Sequence, residues 1–236
     1  MTTIGLTQVR GRAAVQPTRS RSLGREALLI CGILSSLLYV ATDIVGGLRY
    51  EGYSFTSQAI SELMATGAPS EPFVDPLFIT YGVLALAFAV GVFREGAGRG
   101  RALRIAGALL IAYALVGFTG PTLFEMHPRG SGPQGGDTPH IILTGVIVLL
   151  TLLAIVFAAF ALGKRFRVYS FATLGVLIVF GALTAPFGAR LAAGQPTPGF
   201  GILERVNIYS SLLWTAVLAT ALLRRPTRND AEDSLR

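Results

Sequence analysis

The sequence predicts an all-α polytopic membrane bundle of six transmembrane helices with both termini in the cytoplasm. Of the 236 residues, 52% are hydrophobic and only 14% are charged, which is too apolar for a soluble domain of this size. Six apolar runs are long enough to cross a hydrocarbon core of about 30 Å. The basic residues also alternate between the two sides, as six crossings require.

Each predicted span is close to the roughly 20 residues that a membrane-crossing helix needs. The spans cover residues 27–48, 73–93, 105–123, 141–162, 168–187 and 206–223. A soluble core would need amphipathic segments to cover these runs, and none are left over. We therefore expect a transmembrane domain over residues 27–223, between a disordered basic cytoplasmic tail (1–26) and a cytoplasmic C-terminal tail (224–236).

The arginines and the one lysine set the predicted orientation. Sixteen of the 20 basic residues lie in the two tails and the second and fourth connections, and four lie on the opposite side, namely Arg49, Arg129, Arg190 and Arg205. This bias is typical of the positive-inside rule, so it accounts for the net charge of +7 without a nucleic-acid partner. We expect a bacterial plasma (inner) membrane protein whose partners are membrane lipids, and the single Cys31 excludes an internal disulfide.

Asp43 lies in the first span, about 7 Å from its outer end at a rise of 1.5 Å per residue. A lone carboxylate is costly at that depth, so an intramembrane carboxylate indicates a functional group by default. Ser36 and Tyr39 share its helix face, and we expect all three side chains to point into the bundle. The alternative is a structural carboxylate paired with Arg49 or Arg205.

The first outer loop has a pattern typical of a short amphipathic helix, at residues 54–64. Its apolar residues recur at helical spacing, and its serines and Glu62 fall largely on the opposite face. Such a helix lies along the membrane interface with its polar side in water, or it roofs a cavity between the spans. In the second case Ser61 and Glu62 would face inward as substrate-binding residues.

The second outer loop, between the third and fourth spans, brings together two histidines and two carboxylates: Glu125, His127, Asp137 and His140. Because the loop is short, both histidines can come within ligand distance of each other. His127, His140 and Asp137 or Glu125 could hold a divalent metal such as zinc with one open position. A metal-free acid–base pair and a purely structural cap of the fourth helix are the other two interpretations.

The last outer loop leads into a helix with a polar face. Glu204, Asn207, Ser211 and Trp214 recur at helical spacing and would form a ladder from the outer surface to an indole near mid-membrane. Interhelical hydrogen bonding is the structural alternative. Arg205 could meet Asp43, bind an anionic headgroup or extend to the interface.

Several short motifs together resemble a known family. They are Gly52-Tyr53-Ser54, Gln58-Ala59-Ile60-Ser61-Glu62-Leu63, Met126-His127-Pro128, His140 at the start of the fourth span, and Glu204-Arg205 before a Trp-containing last span. As a set, over about residues 27–223, they resemble the prokaryotic membrane proteins of domain-of-unknown-function family 998. The resemblance implies a six-span bundle and names no reaction.

Two classes of function follow from the polar residues of the outer face. The first is a hydrolase or transferase acting on a lipid or lipid-linked substrate, with His127, His140, Glu125, Asp43 and Glu204 as catalytic groups. Arg205, Asn207, Ser61, Glu62 and Trp214 would then bind the substrate. The second is a small-molecule transporter or a nonenzymatic lipid-binding or accessory protein.

Overall fold

The protein is an all-helical bundle, as the sequence predicts. The computed structural model describes residues 19–123, 126–129 and 137–225, without the side chains of residues 19–22, 120–123, 137 and 192. Within these ranges six helices are long and apolar enough to span a membrane, and no strand is present. Most of the predicted basic tail, residues 1–18, lies outside the described residues, as do residues 226–236.

The spanning helices agree with the six predicted apolar runs and extend beyond most of them. They are α1 (Arg19–Arg49), α2 (Glu71–Arg99), α3 (Arg101–Leu123), α4 (Asp137–Ala161), α5 (Lys164–Thr184) and α7 (Phe200–Leu223), with a short helix α6 (Gly188–Ala192) before the last. Glycines with positive φ flank two of them: Gly100 (φ 110°) ends α2, and Gly199 (φ 85°) precedes α7. These backbone angles favour glycine because it has no Cβ.

The six spanning helices form a closed ring. Each packs against its neighbours along the chain, and α7 completes the ring by packing between α5 and α1. At the inner end Arg25 of α1 donates to Glu95 of α2 (2.6 Å) and to the Leu222 carbonyl of α7 (2.7 Å). One arginine therefore holds three helices together there.

The core is apolar towards the inner end and contains one small polar cavity near its centre. Trp214 is 1% exposed and packs with Phe88, Leu103, Ile155 and Leu218. Beside it lies an enclosed cavity of about 30 Å³, lined in part by the hydroxyls of Tyr81, Tyr113, Thr151, Ser211 and Thr215. It has room for about one or two water molecules and for nothing larger.

The first outer loop differs from the prediction of an amphipathic α-helix. Its helical part is a 3-10 helix of five residues, Ile60–Met64, preceded by turns. Ile60 and Leu63 are buried, and Glu62 is only 4% exposed. The segment does not present a wet polar face, because its carboxylate turns inward to a partner described below.

Glycines in α1 let this loop approach closely. A Cβ on Gly47 would collide with the Phe55 ring, and one on Gly46 would lie 2.7 Å from Val74 Cγ1. Both glycines therefore serve contacts within this chain. We call the end of the bundle that carries this loop the outer face, after the predicted orientation.

Candidate functional site

A buried ion pair joins the first and last spanning helices at the outer face. Arg205 Nη2 lies 2.8 Å from Asp43 Oδ1, and Arg205 Nε lies 2.9 Å from Asp43 Oδ2. The Asp43 side chain is 0% exposed, so the two-point contact of guanidinium and carboxylate compensates a charge that water does not reach. Of the two partners that the sequence offers, Arg205 is the one used; Arg49 instead stacks over Phe73, 4.1 Å from the ring centroid.

The remaining Arg205 donors hold the first outer loop. Nη1 donates to three backbone carbonyls, those of Phe55 (2.7 Å), Gln58 (3.0 Å) and Gly201 (3.1 Å). Nη2 donates its second hydrogen to the Tyr53 hydroxyl at 2.6 Å. All five N–H groups of the guanidinium therefore have acceptors inside the protein.

Two tyrosines complete the environment of the ion pair. The Tyr209 hydroxyl of α7 donates to Asp43 Oδ2 at 2.5 Å. The Tyr53 hydroxyl accepts from Arg205 and donates to the Ala59 carbonyl at 2.8 Å. Burial raises the pKa of the Tyr53 phenol, so it remains a neutral hydroxyl and can fill both roles.

A second ion pair joins three outer loops. Arg129 of the second outer loop donates to Glu62 through Nη2 (2.6 Å) and Nε (3.2 Å). Arg129 Nη1 also donates to the Thr197 hydroxyl at 2.6 Å, and Thr197 donates in turn to the Ser57 carbonyl at 2.7 Å. Glu62 accepts further bonds from the Ala59 amide at 2.9 Å and from Gln58 Nε2 at 3.1 Å.

Glu204 forms the third link between the first outer loop and the bundle. Its Oε2 accepts a hydrogen bond from the Ile60 amide at 2.7 Å. This amide belongs to the first turn of the 3-10 helix and has no partner within that turn. Glu204 therefore caps the 3-10 helix from α7.

A groove opens beside the ion pair on the outer half of α7. It has a volume of about 460 Å³ and an open, mostly apolar surface. Its lining consists of Phe55, Thr56, Ile202, Arg205, Val206, Tyr209, Ser210 and Leu213. Ile202 and Leu213 are exposed, so this face of a membrane-spanning helix leads from the lipid side to Arg205 and Tyr209.

The sequence model of a family described as a protein of unknown function, DUF998, matches residues 33–221. The chain belongs to the DUF998 family. The match covers α2 to α5 in full, the outer half of α1, nearly all of α7, and both ion pairs. No curated protein and no solved structure matches the chain.

The structure gives partners for two of the predicted catalytic residues of this DUF998 protein. Asp43 and Glu204 lie at the outer end of α1 and α7, and each has the partner described above. His127 lies in the described segment 126–129 and His140 lies in the first turn of α4. Glu125 lies outside the described residues.

The predicted zinc set remains a prediction. Among the residues that the structure describes, no group of three His, Cys, Asp or Glu side chains is placed to hold a metal ion. The predicted set is His127, His140 and Asp137, and the Asp137 side chain lies outside the part of the chain that the structure describes.

The predicted polar ladder on α7 serves contacts between helices. Asn207 Nδ2 donates to the Leu177 carbonyl of α5 at 2.8 Å, and Trp214 Nε1 donates to Ser170 Oγ of α5 at 3.0 Å. Ser211 donates to the Ile208 carbonyl of its own helix at 2.7 Å. Ser61 is half-buried in the 3-10 helix. Asn207 and Trp214 therefore make the interhelical hydrogen bonds that the structural alternative predicts.

Three residues of the site were not singled out from the sequence: Arg129, Tyr53 and Tyr209. A signal for Arg129 was present, because only four of the 20 basic residues lie on the predicted outer side. Two of these four, Arg129 and Arg205, hold the two buried carboxylates. An arginine on the side where arginine is rare is a reason to look for a buried acid.

Proposed function

We propose that this protein binds an amphiphilic lipid of the outer leaflet, with the acyl part in the α7 groove and the headgroup against the polar residues beside it. In this proposal the membrane is a bacterial plasma membrane and both termini are cytoplasmic. The charge distribution of the chain supports that orientation. The groove on α7 carries the proposal.

The lining of the groove fits an amphiphile. Ile202, Val206 and Leu213 offer apolar contact along the helix, and Tyr209 and Thr56 offer hydroxyls at the outer end. Pockets for small molecules typically combine a mostly apolar wall with a few placed polar groups. A volume of about 460 Å³ accommodates a headgroup region and the first part of an acyl chain.

The partners of the carboxylates favour binding over catalysis. Asp43 pairs with Arg205, Glu62 pairs with Arg129, and Glu204 accepts from the Ile60 amide. A general acid or base must exchange its proton with a substrate, whereas these groups are occupied within the protein. A hydrolase or transferase that uses His127 and His140 remains a hypothesis, and no specific observation favours it.

The small central cavity gives little support to transport. A path would need polar or ionisable groups at several depths and space for the cargo. In the described part of the bundle the enclosed cavity beside Trp214 measures about 30 Å³. We therefore prefer lipid binding at the α7 groove to transport through the bundle.

The test fills the groove with a large side chain. We expect Leu213→Trp to reduce retention of outer-leaflet lipid by the purified full-length protein about tenfold or more, because the indole occupies the lipid position. Lipids that stay bound after detergent extraction are counted by native mass spectrometry. The matched control is Leu149→Trp on α4, since Leu149 is 55% exposed and Leu213 is 59% exposed.

Equal lipid retention in wild type, Leu213→Trp and Leu149→Trp would rule out the groove as a specific site. Equal losses in both variants would indicate a general effect of tryptophan on the lipid-facing surface and would also contradict the proposal.

A further inference from the structure

The groove contains a cation that has no donor left for a ligand. Arg205 is the charged residue of the groove lining, and its five N–H groups are engaged by Asp43, by Tyr53 and by backbone carbonyls of Phe55, Gln58 and Gly201. Its charge is also balanced by Asp43, which is fully buried at its side. An anionic headgroup would find neither a free donor nor a net positive charge here.

Two hydroxyls of the groove, those of Tyr209 and Ser210, also have no hydrogen left to donate to a ligand. Tyr209 donates its one hydroxyl hydrogen to Asp43 Oδ2, and Ser210 donates its hydroxyl hydrogen to the Val206 carbonyl at 2.6 Å. Both oxygens can therefore only accept a hydrogen bond from a ligand. Donation to a carboxylate also polarises the Tyr209 hydroxyl and makes its oxygen a better acceptor.

Among the hydroxyl groups of the groove lining, that of Thr56 can also donate a hydrogen bond to a ligand. Its Oγ1 lies 3.0 Å from Ser54 Oγ, and either atom can be the donor. Thr56 is exposed and stands at the mouth of the groove in the first outer loop. It can therefore accept the ligand hydrogen or donate to a nearby ester carbonyl without losing a buried partner.

From this donor count we infer that the groove selects a neutral lipid with a free hydroxyl, of the diacylglycerol type, over an anionic phospholipid. The inference rests on the proposed function and names the lipid class of the same groove. The ligand hydroxyl donates to the Tyr209 oxygen, and the acyl chains follow Val206 and Leu213 along α7. A phosphate anion brings charge and additional acceptors to a surface where the donors of Arg205 are all engaged and Tyr209 and Ser210 have no hydrogen to donate.

The experiment compares three lipids with the same acyl chains. They are diacylglycerol, its acetyl ester at the free hydroxyl, and phosphatidic acid. The acetyl ester is neutral and lacks the donor hydrogen, whereas phosphatidic acid replaces the hydroxyl with a phosphate. Each is titrated into the purified full-length protein in detergent, and dissociation constants are measured by native mass spectrometry.

We expect diacylglycerol to bind wild-type protein about tenfold more tightly than its acetyl ester, because a site built to accept a hydrogen bond rejects a ligand without the donor. We expect a similar preference over phosphatidic acid, because its negative charge finds no free donor on Arg205. In Tyr209→Phe the ratio of the diacylglycerol and acetyl-ester dissociation constants should fall towards one. A ratio is used because an overall change in folding affects both ligands equally. Should Tyr209→Phe fail to fold, Ser210→Ala is the second variant, with a smaller fall in the same ratio.

The alternative outcomes separate the lipid class from the proposed function. Phosphatidic acid that binds as tightly as diacylglycerol, and is lost in Leu213→Trp, would overturn the neutral class and leave the groove as a lipid site. Equal binding of diacylglycerol and its acetyl ester would overturn recognition of the hydroxyl. Binding of every lipid that is insensitive to Leu213→Trp, or no binding at all, would overturn both proposals together.

Discussion

At the scale of single residues, the Asp43–Arg205 pair is the most consequential contact of the outer face. Two charges are removed from water, and each is acceptable only because the other lies 2.8 Å away. The pair also orients Tyr53 and Tyr209, and Tyr209 lines the groove. Loss of either charge therefore affects both stability and ligand binding.

The first prediction concerns Asp43→Asn. This substitution leaves the Arg205 charge buried without its counterion, and we expect the free energy of unfolding to fall by about 3–5 kcal/mol. Thermal unfolding of the purified protein in detergent measures the effect. Asp75→Asn in α2 is the control, because Asp75 takes no part in this pair, and its unfolding temperature should stay near that of wild type.

A double-substitution cycle separates the pair from its surroundings. In Asp43→Asn/Arg205→Gln both charges are gone, so the loss should be smaller than the sum of the two single losses by about 0.5–3 kcal/mol. Strictly additive losses would mean that the two side chains contribute independently.

The second prediction concerns Gly201→Ala at the start of α7. A Cβ at this position would lie 2.5 Å from the Phe55 oxygen, 2.6 Å from the Gln58 oxygen and 2.9 Å from Arg205 Nη1. The first outer loop must move away, so we expect a lower unfolding temperature and weaker lipid binding. Gly175→Ala in α5 is the matched control, since nothing lies within 4 Å of its added methyl group and alanine favours the helix. Equal behaviour of the two variants would contradict the predicted steric conflict.

At the scale of elements, the first outer loop is held from three sides. Arg205 binds its carbonyls, Glu204 binds the Ile60 amide and Arg129 binds Glu62. The Thr66 amide also donates to the Met126 carbonyl of the second outer loop at 2.8 Å. A loop attached at so many points behaves as part of the bundle, although its only regular helix has five residues.

The third prediction concerns Arg129→Gln, which removes the ion pair that connects the first, second and last outer loops. Glu62 keeps its bonds from Ala59 and Gln58, so we expect local opening rather than global unfolding. Hydrogen exchange of peptides covering residues 57–66 should become about tenfold faster, while exchange in the spanning helices stays unchanged. Arg190→Gln in the exposed helix α6 is the control, and a similar acceleration in that variant would remove the assigned role of Arg129.

The spanning helices were predictable from the sequence, and the conformation of the first outer loop was not. Apolar length is a local property, so all six spans could be located before any contact was known. The helical spacing of residues 54–64 predicted an amphipathic helix and left open whether Glu62 faces water or the bundle. Glu62 is drawn inward by Arg129, which lies 67 residues further along the chain. Local periodicity carries no information about such a distant partner.

The candidate site was predictable in part for the same reason. The cost of a buried carboxylate identified Asp43 and limited its partner to two arginines, of which Arg205 is correct. The sequence also correctly placed Asn207 and Trp214 on a helix face that makes polar contacts. Their partners on α5 could not be predicted, because these contacts depend on how α7 packs against α5. The α7 groove has no sequence signature, because it arises where the first outer loop leaves one face of a helix uncovered.

At the scale of the whole molecule, six crossings would place both termini on one side of the membrane, and the basic residues predict that this side is the cytoplasm. Thr66 would then be external, and Ala97, near the inner end of α2, would be cytoplasmic. Both residues are exposed.

The fourth prediction tests this orientation with single cysteines in a Cys31→Ser background. A membrane-impermeant maleimide should label Thr66→Cys in intact cells and label Ala97→Cys only after permeabilisation. The reverse pattern would invert the topology and place the α7 groove in the inner leaflet.

The contact between α1 and α7 can form only late in synthesis. Asp43 enters the membrane with the first helix, whereas its counterion follows 162 residues later, with the last helix. Through most of translation the carboxylate must therefore remain protonated, hydrated or shielded by the insertion machinery. A chain that ends before Arg205 retains an uncompensated acid in its first helix, which makes Asp43 an internal marker by which quality-control proteases can distinguish unfinished molecules from complete ones.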